Sequence, residues 1–253
     1  MAFGPDNKFS LNTGQMSAAQ AGAADIDVGL RNYMLRVYNY MASGLALTGI
    51  VAYLASTTPA ILNLMYAPVP GGGIQATGLA WIVMLSPLAF IFALSFGINK
   101  MKASTMQTVF WAFSAVMGLS LAHIFLLYTG ASIARVFFIT AGTFAAMSLY
   151  GYTTKRDLTG WGSFLFMGLI GIIIASIVNI FLQSSAMHFV ISVIGVLIFV
   201  GLTAYDTQKI KSIYLESDGA EVSTKKAIMG AVTLYLDFIN LFIMLLRLFG
   251  ERR

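Results

Sequence analysis

The sequence predicts an all-α membrane protein with seven transmembrane helices, and three observations carry this prediction. Hydrophobic residues make up 58% of its 253 residues and charged residues only 10%. The mean hydropathy of +0.81 is far above that of a soluble domain. Apolar runs of about twenty residues recur along the chain, and basic residues collect between alternate runs, which is the pattern of short cytoplasmic loops.

Seven runs are long enough to cross a bilayer as helices. The predicted spans are 33–55, 78–98, 105–128, 131–152, 161–183, 188–208 and 227–249. The segment before them is polar and rich in Ala and Gly, and it lacks a charged start that leads at once into an apolar core. It therefore predicts a disordered cytoplasmic tail, 1–31, rather than a cleaved signal peptide, followed by a seven-helix domain, 32–250.

The distribution of basic residues assigns the two sides of the membrane. Those on the predicted cytoplasmic side are Lys8, Arg31, Arg36, Lys100, Lys102, Lys155, Arg156, Lys209, Lys211, Lys225 and Lys226. The connections 56–77, 129–130 and 184–186 contain no Lys or Arg. The positive-inside rule therefore predicts a cytoplasmic amino terminus. The length of 227–249 favours a full seventh span, with Arg252 and Arg253 outside, over a segment that enters and returns.

Composition excludes several kinds of site and partner. Without cysteine there is no disulfide, thiolate nucleophile or thiolate metal site, and two histidines make a zinc site unexpected. The net charge of +5 comes from basic residues at the ends of apolar runs and not from a patch of groove size, so nucleic acid is not a predicted partner. The lipid bilayer is the predicted partner, and no cofactor is expected.

Two acidic residues lie where a charge is costly. An ionised carboxylate near the centre of a membrane helix costs about 2.5 to 3.5 kcal/mol on insertion scales, so such residues indicate function. Asp237 is the eleventh residue of its run and lies roughly 15 Å deep. Asp206 reaches a similar depth if its helix continues into the cytoplasm. Since the two spans are consecutive and antiparallel, the carboxyl groups can meet, share one proton and form a weak calcium site.

Polar residues nearby are candidates to supply further oxygen atoms or to line a pathway. They are Thr203, Gln208, Tyr235 and Asn240 on the same two spans, Asn179 on the fifth span, and Arg135 near the outer end of the fourth. Structural alternatives remain open: Asp206 can pair with Lys209 within its own helix, and Asp237 can be a neutral acid bonded to a neighbouring helix.

Several long motifs resemble one known family. "AAMSLYGYTTKRDLTGWGSFLFMGLIGIIIASIVNIF", "GLTAYDTQKIK" and "LYLDFINLF", in this order, are similar to the bacterial branch of the Bax inhibitor-1 (transmembrane Bax inhibitor motif) family. The resemblance covers about 25–250. It implies six helices around a central C-terminal seventh and a pH-sensitive calcium leak. In the family this leak is governed by an aspartate pair, one in "DTQ" and one in "LDF", which match Asp206 and Asp237.

The chain departs from the family in one respect that bears on this pair. In a bacterial relative an arginine of the second helix is thought to join the two aspartates. Here the second predicted span contains no Arg or Lys, and Lys100 lies just beyond its end. The family role of that arginine is therefore not assigned to a residue of this chain.

Two other functions are consistent with the sequence. Paired aspartates on adjacent helices resemble intramembrane aspartyl proteases, but the Gly-x-Gly-Asp and Pro-Ala-Leu motifs of those enzymes are absent, so no enzyme is predicted. The second alternative is a non-transporting regulator that binds other membrane proteins, since bacterial relatives are associated with a membrane-anchored ATP-dependent protease. The lack of cysteine and the style of the motifs suggest a bacterial inner membrane.

Overall fold

In a computed structural model, which describes residues 18–69 and 74–253, helices account for most of the chain. The helices are α1 (Ala18–Thr57), α2 (Pro59–Met65), α3 (Gly78–Gly97), α4 (Ala103–Leu121), α5 (His123–Leu127), α6 (Gly130–Thr153), α7 (Thr159–Leu182), α8 (Ser185–Ser212) and α9 (Ala220–Phe249). A small antiparallel hairpin joins β1 (Tyr66–Pro68) to β2 (Ile74–Ala76). Within the described residues, seven helical segments are long and apolar enough to cross a membrane, with α4 and α5 together forming the third. The predicted fold class is confirmed.

The first helix differs from the prediction. It begins at Ala18, within the segment 1–31 for which the sequence predicts a disordered tail, and residues 1–17 lie outside the described part of the chain. Five alanines between positions 18 and 24 explain the difference, because alanine has the highest intrinsic helix propensity. The segment is polar on average, but its alanines favour a helix.

The first connection between spans has secondary structure of its own. Helix α2 begins with Pro59, which is favourable at the first turn because a proline has no N–H to leave unpaired. Thr77 then begins α3: its hydroxyl donates to the carbonyl of Leu64 at 2.8 Å and accepts from the N–H of Ala80 at 3.2 Å. These bonds fix the start of α3 against the end of α2.

Helix α9 is the centre of the bundle. In its most apolar window 72% of the residues are buried, the largest share of the seven spans. It packs against α1, α3, α4, α6 and α8. The expectation of a central C-terminal helix is confirmed.

Helix α7 is the most peripheral span. Only 11% of its most apolar window is buried, and its close packing within the described bundle is against α8. The other five surrounding spans contact α9 directly, whereas α7 stands away from it. A crevice therefore remains between α7 and α9.

Close helix packing depends on a small residue at the contact between α6 and α8. A β-carbon on Gly151 would collide with the backbone carbonyl oxygen of Ala204. The absence of a side chain lets the two backbones touch, as small residues do in membrane helix pairs. This contact fixes the position of α8 beside α6.

The two ends of the bundle have different charges. One end, here called the lysine end, carries the connections 98–102, 154–158 and 213–219. At the opposite end the last residues of the chain pair with the connection between α5 and α6: the N–H of Thr129 donates to Glu251 O at 3.0 Å and that of Arg253 to Leu127 O at 3.0 Å. The chain therefore ends at the opposite face from the lysine end, and the last span crosses completely.

Candidate functional site: an aspartate pair in a membrane crevice

A long crevice lies where α7 stands away from α9, with α8 and α3 as its other walls. Its volume is about 850 Å³. On α7 its lining runs from Gly162 to Ile180, and this length of helix corresponds to about 27 Å. The hydrocarbon core of a bilayer is of similar thickness, about 30 Å. We call this space the α7–α9 crevice.

Each wall contributes one helical stripe to this crevice. Residues spaced by three and four along a helix lie on one face, and the lining residues follow this spacing. The walls formed by α3 and α7 are apolar apart from two serines, Ser163 and Ser176. The stripe of α9 includes Thr233, Asp237, Asn240, Met244 and Arg247, with Leu236 beside it, and that of α8 includes Phe199, Leu202, Asp206 and Lys209, with Tyr205 beside it.

The two aspartates of the prediction meet in this crevice. The carboxyl groups of Asp206 and Asp237 lie within hydrogen-bonding contact across the interface of α8 and α9. Because a carboxylate only accepts hydrogen bonds, a hydrogen bond at this contact would need one proton on the pair. Asp237 is only 5% exposed, and its Oδ2 has no hydrogen-bond partner among the described residues.

The position of Asp237 explains why this acid stays in the protein interior. It is the eighteenth of the 30 residues of α9, which places it about 25 Å from the start of the helix and about 18 Å from its end. A short carboxylate side chain cannot reach water at either end from this depth. Its only acidic neighbour on the described surface of the crevice is Asp206.

Basic residues lie on both sides of the pair along the crevice. Lys209, one helical turn from Asp206, is close enough to interact electrostatically with that carboxyl group, and its Nζ lies 5.8 Å from the centre of the Tyr205 ring. Arg247 lies on the other side, towards the opposite end of the bundle. The order along the crevice is thus basic, acidic pair, basic, and no basic residue comes from α3.

Two of the predicted supporting residues are near the pair, but in different roles. Asn240 lines the crevice one turn beyond Asp237 and donates to the carbonyl of Leu236 at 2.8 Å. Thr203 is fully buried, and its hydroxyl donates to Phe199 O of its own helix at 2.7 Å. Asn240 is therefore available to the crevice, whereas Thr203 stabilises α8 internally.

Gln208 and Tyr235 are on the predicted helices but point elsewhere. The carboxamide of Gln208 accepts from the N–H of Leu158 and donates to the carbonyl of Arg156, both at 2.8 Å. Tyr235 is fully buried, and its hydroxyl lies 2.6 Å from that of Thr48 on α1. Gln208 thus secures the connection before α7, and Tyr235 ties α9 to α1.

Asn179 and Arg135 are at the opposite end of the bundle. Asn179 accepts from the N–H of Ser184 at 3.1 Å and lines a separate cavity there. Arg135 forms an exposed ion pair with Glu251 at 2.8 Å. Neither residue reaches the aspartate pair or the α7–α9 crevice.

Sequence reasoning missed the role of Arg247 and treated Lys209 only as an intrahelical partner of Asp206. A signal for both residues was present in their spacing. Lys209 follows Asp206 by three residues, and Arg247 is connected to Asp237 through Asn240 and Met244 by steps of three and four. Such steps keep residues on one broad helical face, so each basic residue could have been placed on the same face as its aspartate, Lys209 one turn away and Arg247 about 15 Å further along.

The donor set bears directly on metal binding. In the part of the chain that the structure describes, no group of three or more His, Cys, Asp or Glu residues could hold a metal ion. Calcium takes six to eight oxygen ligands. Two carboxyl groups and the carboxamide of Asn240 fall short of this number, so water would complete the coordination, and such a site is suited to weak binding.

Three relatives resemble this chain over most of its length. The inner membrane protein YbhL of Escherichia coli is 49% identical over 227 residues, which cover 89% of this chain and 94% of YbhL. A protein of Rickettsia prowazekii is 51% identical, with 90% of this chain and 92% of that protein covered. A protein of Caulobacter vibrioides is 46% identical, with 96% and 98% covered.

A family model also matches nearly the whole chain. The family is described as "Inhibitor of apoptosis-promoting Bax1", and its model matches residues 30–253. The match includes both aspartates of the pair and all seven spans except the first two residues of the first span. Seven membrane helices with α9 at their centre, together with these matches, establish that the chain belongs to the Bax inhibitor-1 family of membrane proteins.

Proposed function

We propose that this protein is a passive cation pathway, with calcium as the transported ion, and that the aspartate pair controls its opening. The contact between Asp206 and Asp237 inside the α7–α9 crevice carries the proposal. We place the lysine end in the cytoplasm, by the positive-inside rule. The name of the Escherichia coli relative supports a bacterial inner membrane as the location.

The shared proton acts as a latch between α8 and α9. With one proton the pair is held by a hydrogen bond and carries at most one charge. Loss of that proton leaves two like charges at close range in a medium of low dielectric, where their repulsion is much stronger than in water. Either the helices separate or a cation enters between the carboxylates. Of the charged groups on the crevice wall, Lys209 on α8 is near the pair and Arg247 lies ten residues beyond Asp237 on α9, while α3 and α7 contribute none.

Protons and calcium compete for the same oxygen atoms. A carboxyl group that holds a proton is a poor calcium ligand, so acidification weakens calcium binding at the pair. The few protein ligands keep binding weak at any pH, which suits passage better than storage. The two basic residues of the crevice, Lys209 and Arg247, reduce the concentration of cations along it, as expected of a slow leak rather than a fast channel.

Calcium flux into liposomes between pH 5 and pH 8 tests the proposal. We expect the wild-type flux to depend on pH, and we expect Asp206→Asn and Asp237→Asn to flatten that dependence because an amide does not titrate. Arg135→Gln is the control, since its ion pair with Glu251 is exposed and distant from the crevice. Equal flux with equal pH dependence in all four proteins would show that the pair is not the latch.

An absence of flux from every protein, with reconstitution verified, would overturn the transport proposal. That outcome would favour the regulator that binds other membrane proteins, including a membrane-anchored protease.

A further inference from the structure

A second cavity contains basic side chains without acidic partners. It lies at the end of the bundle opposite the lysine end, between α7, α8 and the end of α9, and its volume is about 610 Å³. Its charged and polar lining includes Arg247, Arg252, His188, Asn179 and Ser184. We call it the basic cavity, and the aspartate pair does not line it.

The positive charge of this cavity is not neutralised by the described residues. Their ion pairs are Arg135–Glu251, Lys225–Glu221 and Lys226–Asp218. None of them includes Arg247 or Arg252, so neither guanidinium has a described carboxylate within 4.0 Å. Two like charges beside one cavity repel each other, and an anion between them would remove this cost.

The last residues of the chain hold Arg252 in place. The N–H of Glu251 donates to the Ser132 hydroxyl at 2.8 Å, and the backbone of Arg252 forms an isolated antiparallel β-bridge with that of Tyr128. Successive side chains of an extended segment point in opposite directions. Accordingly Glu251 reaches Arg135 on α6, while Arg252 lines the basic cavity beside α8. Glu251 is thus engaged elsewhere and does not neutralise the cavity.

The start of α8 adds a favourable environment for an anion. Ser184, Ser185 and His188, at the start of this helix, line the cavity, and the hydroxyl of Ser184 accepts from the N–H of Met187 at 3.3 Å. The amino-terminal end of a long helix carries partial positive charge, which adds to that of the two guanidinium groups. Arginine binds phosphate oxygens in a two-pronged geometry.

The basic cavity adjoins the α7–α9 crevice, so a ligand with a charged group in the cavity can extend an apolar part into the crevice. Ser176, Ile180 and Arg247 line both spaces. Beyond Arg247 the wall formed by α7 is apolar, with Ile173 and Ile177 among its residues. We propose that the basic cavity binds the phosphate group of an anionic phospholipid, with one acyl chain along the apolar wall of α7. This binding does not depend on whether the crevice conducts cations.

Lipid binding by the purified full-length protein tests this assignment. Native mass spectrometry in detergent would measure binding of phosphatidylglycerol and phosphatidylcholine to the wild type and to Arg247→Gln, Arg252→Gln and Arg253→Gln. Arg253→Gln is the matched control, because it removes the same charge from the neighbouring residue, which does not line the cavity. We expect the wild type to prefer phosphatidylglycerol, and each lining substitution to weaken that binding about tenfold, as for the loss of one charge-assisted hydrogen bond.

Three results would overturn the assignment. The first is equal binding of both lipids by the wild type, and the second is a loss of phosphatidylglycerol binding in Arg253→Gln as large as in the lining variants. The third is displacement of the lipid by inorganic phosphate at a concentration similar to that of the lipid, which would assign the site to a free anion. If Arg247→Gln did not fold, Arg252→Gln would decide the matter alone, because Arg252 lies on the exposed last segment of the chain.

Discussion

The carboxyl groups of Asp206 and Asp237 are in contact between α8 and α9, although one lies near the end of its helix and the other deep within the bundle. Helix α8 continues to Ser212, six residues beyond Asp206, whereas α9 runs for seventeen residues before it reaches Asp237. The two carboxyl groups therefore meet because the last part of α8 packs beside the interior of α9.

A double-mutant cycle measures the energy of this contact. Asp206→Ala leaves the buried Asp237 without its partner, and we expect a loss of about 1 to 3 kcal/mol in the free energy of unfolding. The double variant with Asp237→Ala should lose less than the sum of the single variants, by about 0.5 to 3 kcal/mol. Denaturant unfolding in detergent measures these values. Asp206→Ala combined with Glu251→Ala is the control and should be additive; additivity in both cycles would contradict the contact.

Lys209 should limit the passage of cations at the lysine end of the crevice. We expect Lys209→Gln to raise calcium flux about two- to tenfold at low ionic strength, and less at high salt, because the positive charge near Asp206 repels the ion. Liposome flux at two salt concentrations measures this effect. Lys100→Gln, a change of equal charge at the same end outside the crevice, should leave the flux unchanged. An equal effect of both substitutions would indicate a general surface charge effect.

Gly151 should tolerate no side chain. We expect Gly151→Ala to cost about 1 to 3 kcal/mol of stability, because its β-carbon meets the backbone of Ala204 and the helices must separate. Gly142→Ala on the same helix has open space around it and should stabilise by up to about 1 kcal/mol. Thermal unfolding in detergent compares the two variants. Similar unfolding temperatures would contradict the close contact of α6 and α8.

Thr48 should matter more for stability than its partner Tyr235. The Thr48 hydroxyl donates to Ser114 O at 2.8 Å, so it accepts from the Tyr235 hydroxyl at 2.6 Å. Thr48→Val removes both bonds and leaves a buried hydroxyl unpaired, at about 1 to 3 kcal/mol, whereas Tyr235→Phe removes one bond, at about 0.5 to 1.5 kcal/mol. Chemical unfolding of the two variants measures the difference. A larger loss for Tyr235→Phe would contradict the two-bond role of Thr48.

The seven spans could be predicted because each needs only a long apolar run, which is a local property of the chain. The predicted spans fall within the observed helical segments to within a residue or two at their ends, apart from the break near Ala122 in the third span. The part of α1 before residue 31 was not predicted, because the polar composition of that segment favours disorder whereas its alanines favour a helix. The connection 56–77 was not expected to contain a helix and a hairpin.

The supporting residues of the site were harder to predict. Gln208 and Tyr235 are on the same helices as the aspartates, yet each bonds to a different neighbour. In a membrane bundle the lipid-facing and inward-facing surfaces are both apolar, so the sequence carries little information about the rotation of each helix. Spacing relative to a known site residue was informative, because helical steps of three and four connect Lys209 and Arg247 to the pair.

The sequence by itself determined that the protein crosses a membrane seven times and that two acids lie in its last two spans. Apolar length and the cost of a buried charge are sufficient for these conclusions. Only the tertiary structure decided that α7 stands away from α9, that Lys209 and Arg247 flank the acids, and that Arg252 lines a second cavity. These features depend on how the helices pack and on where the last residues lie. The hydropathy of a single apolar run carries no information about its contacts with distant segments.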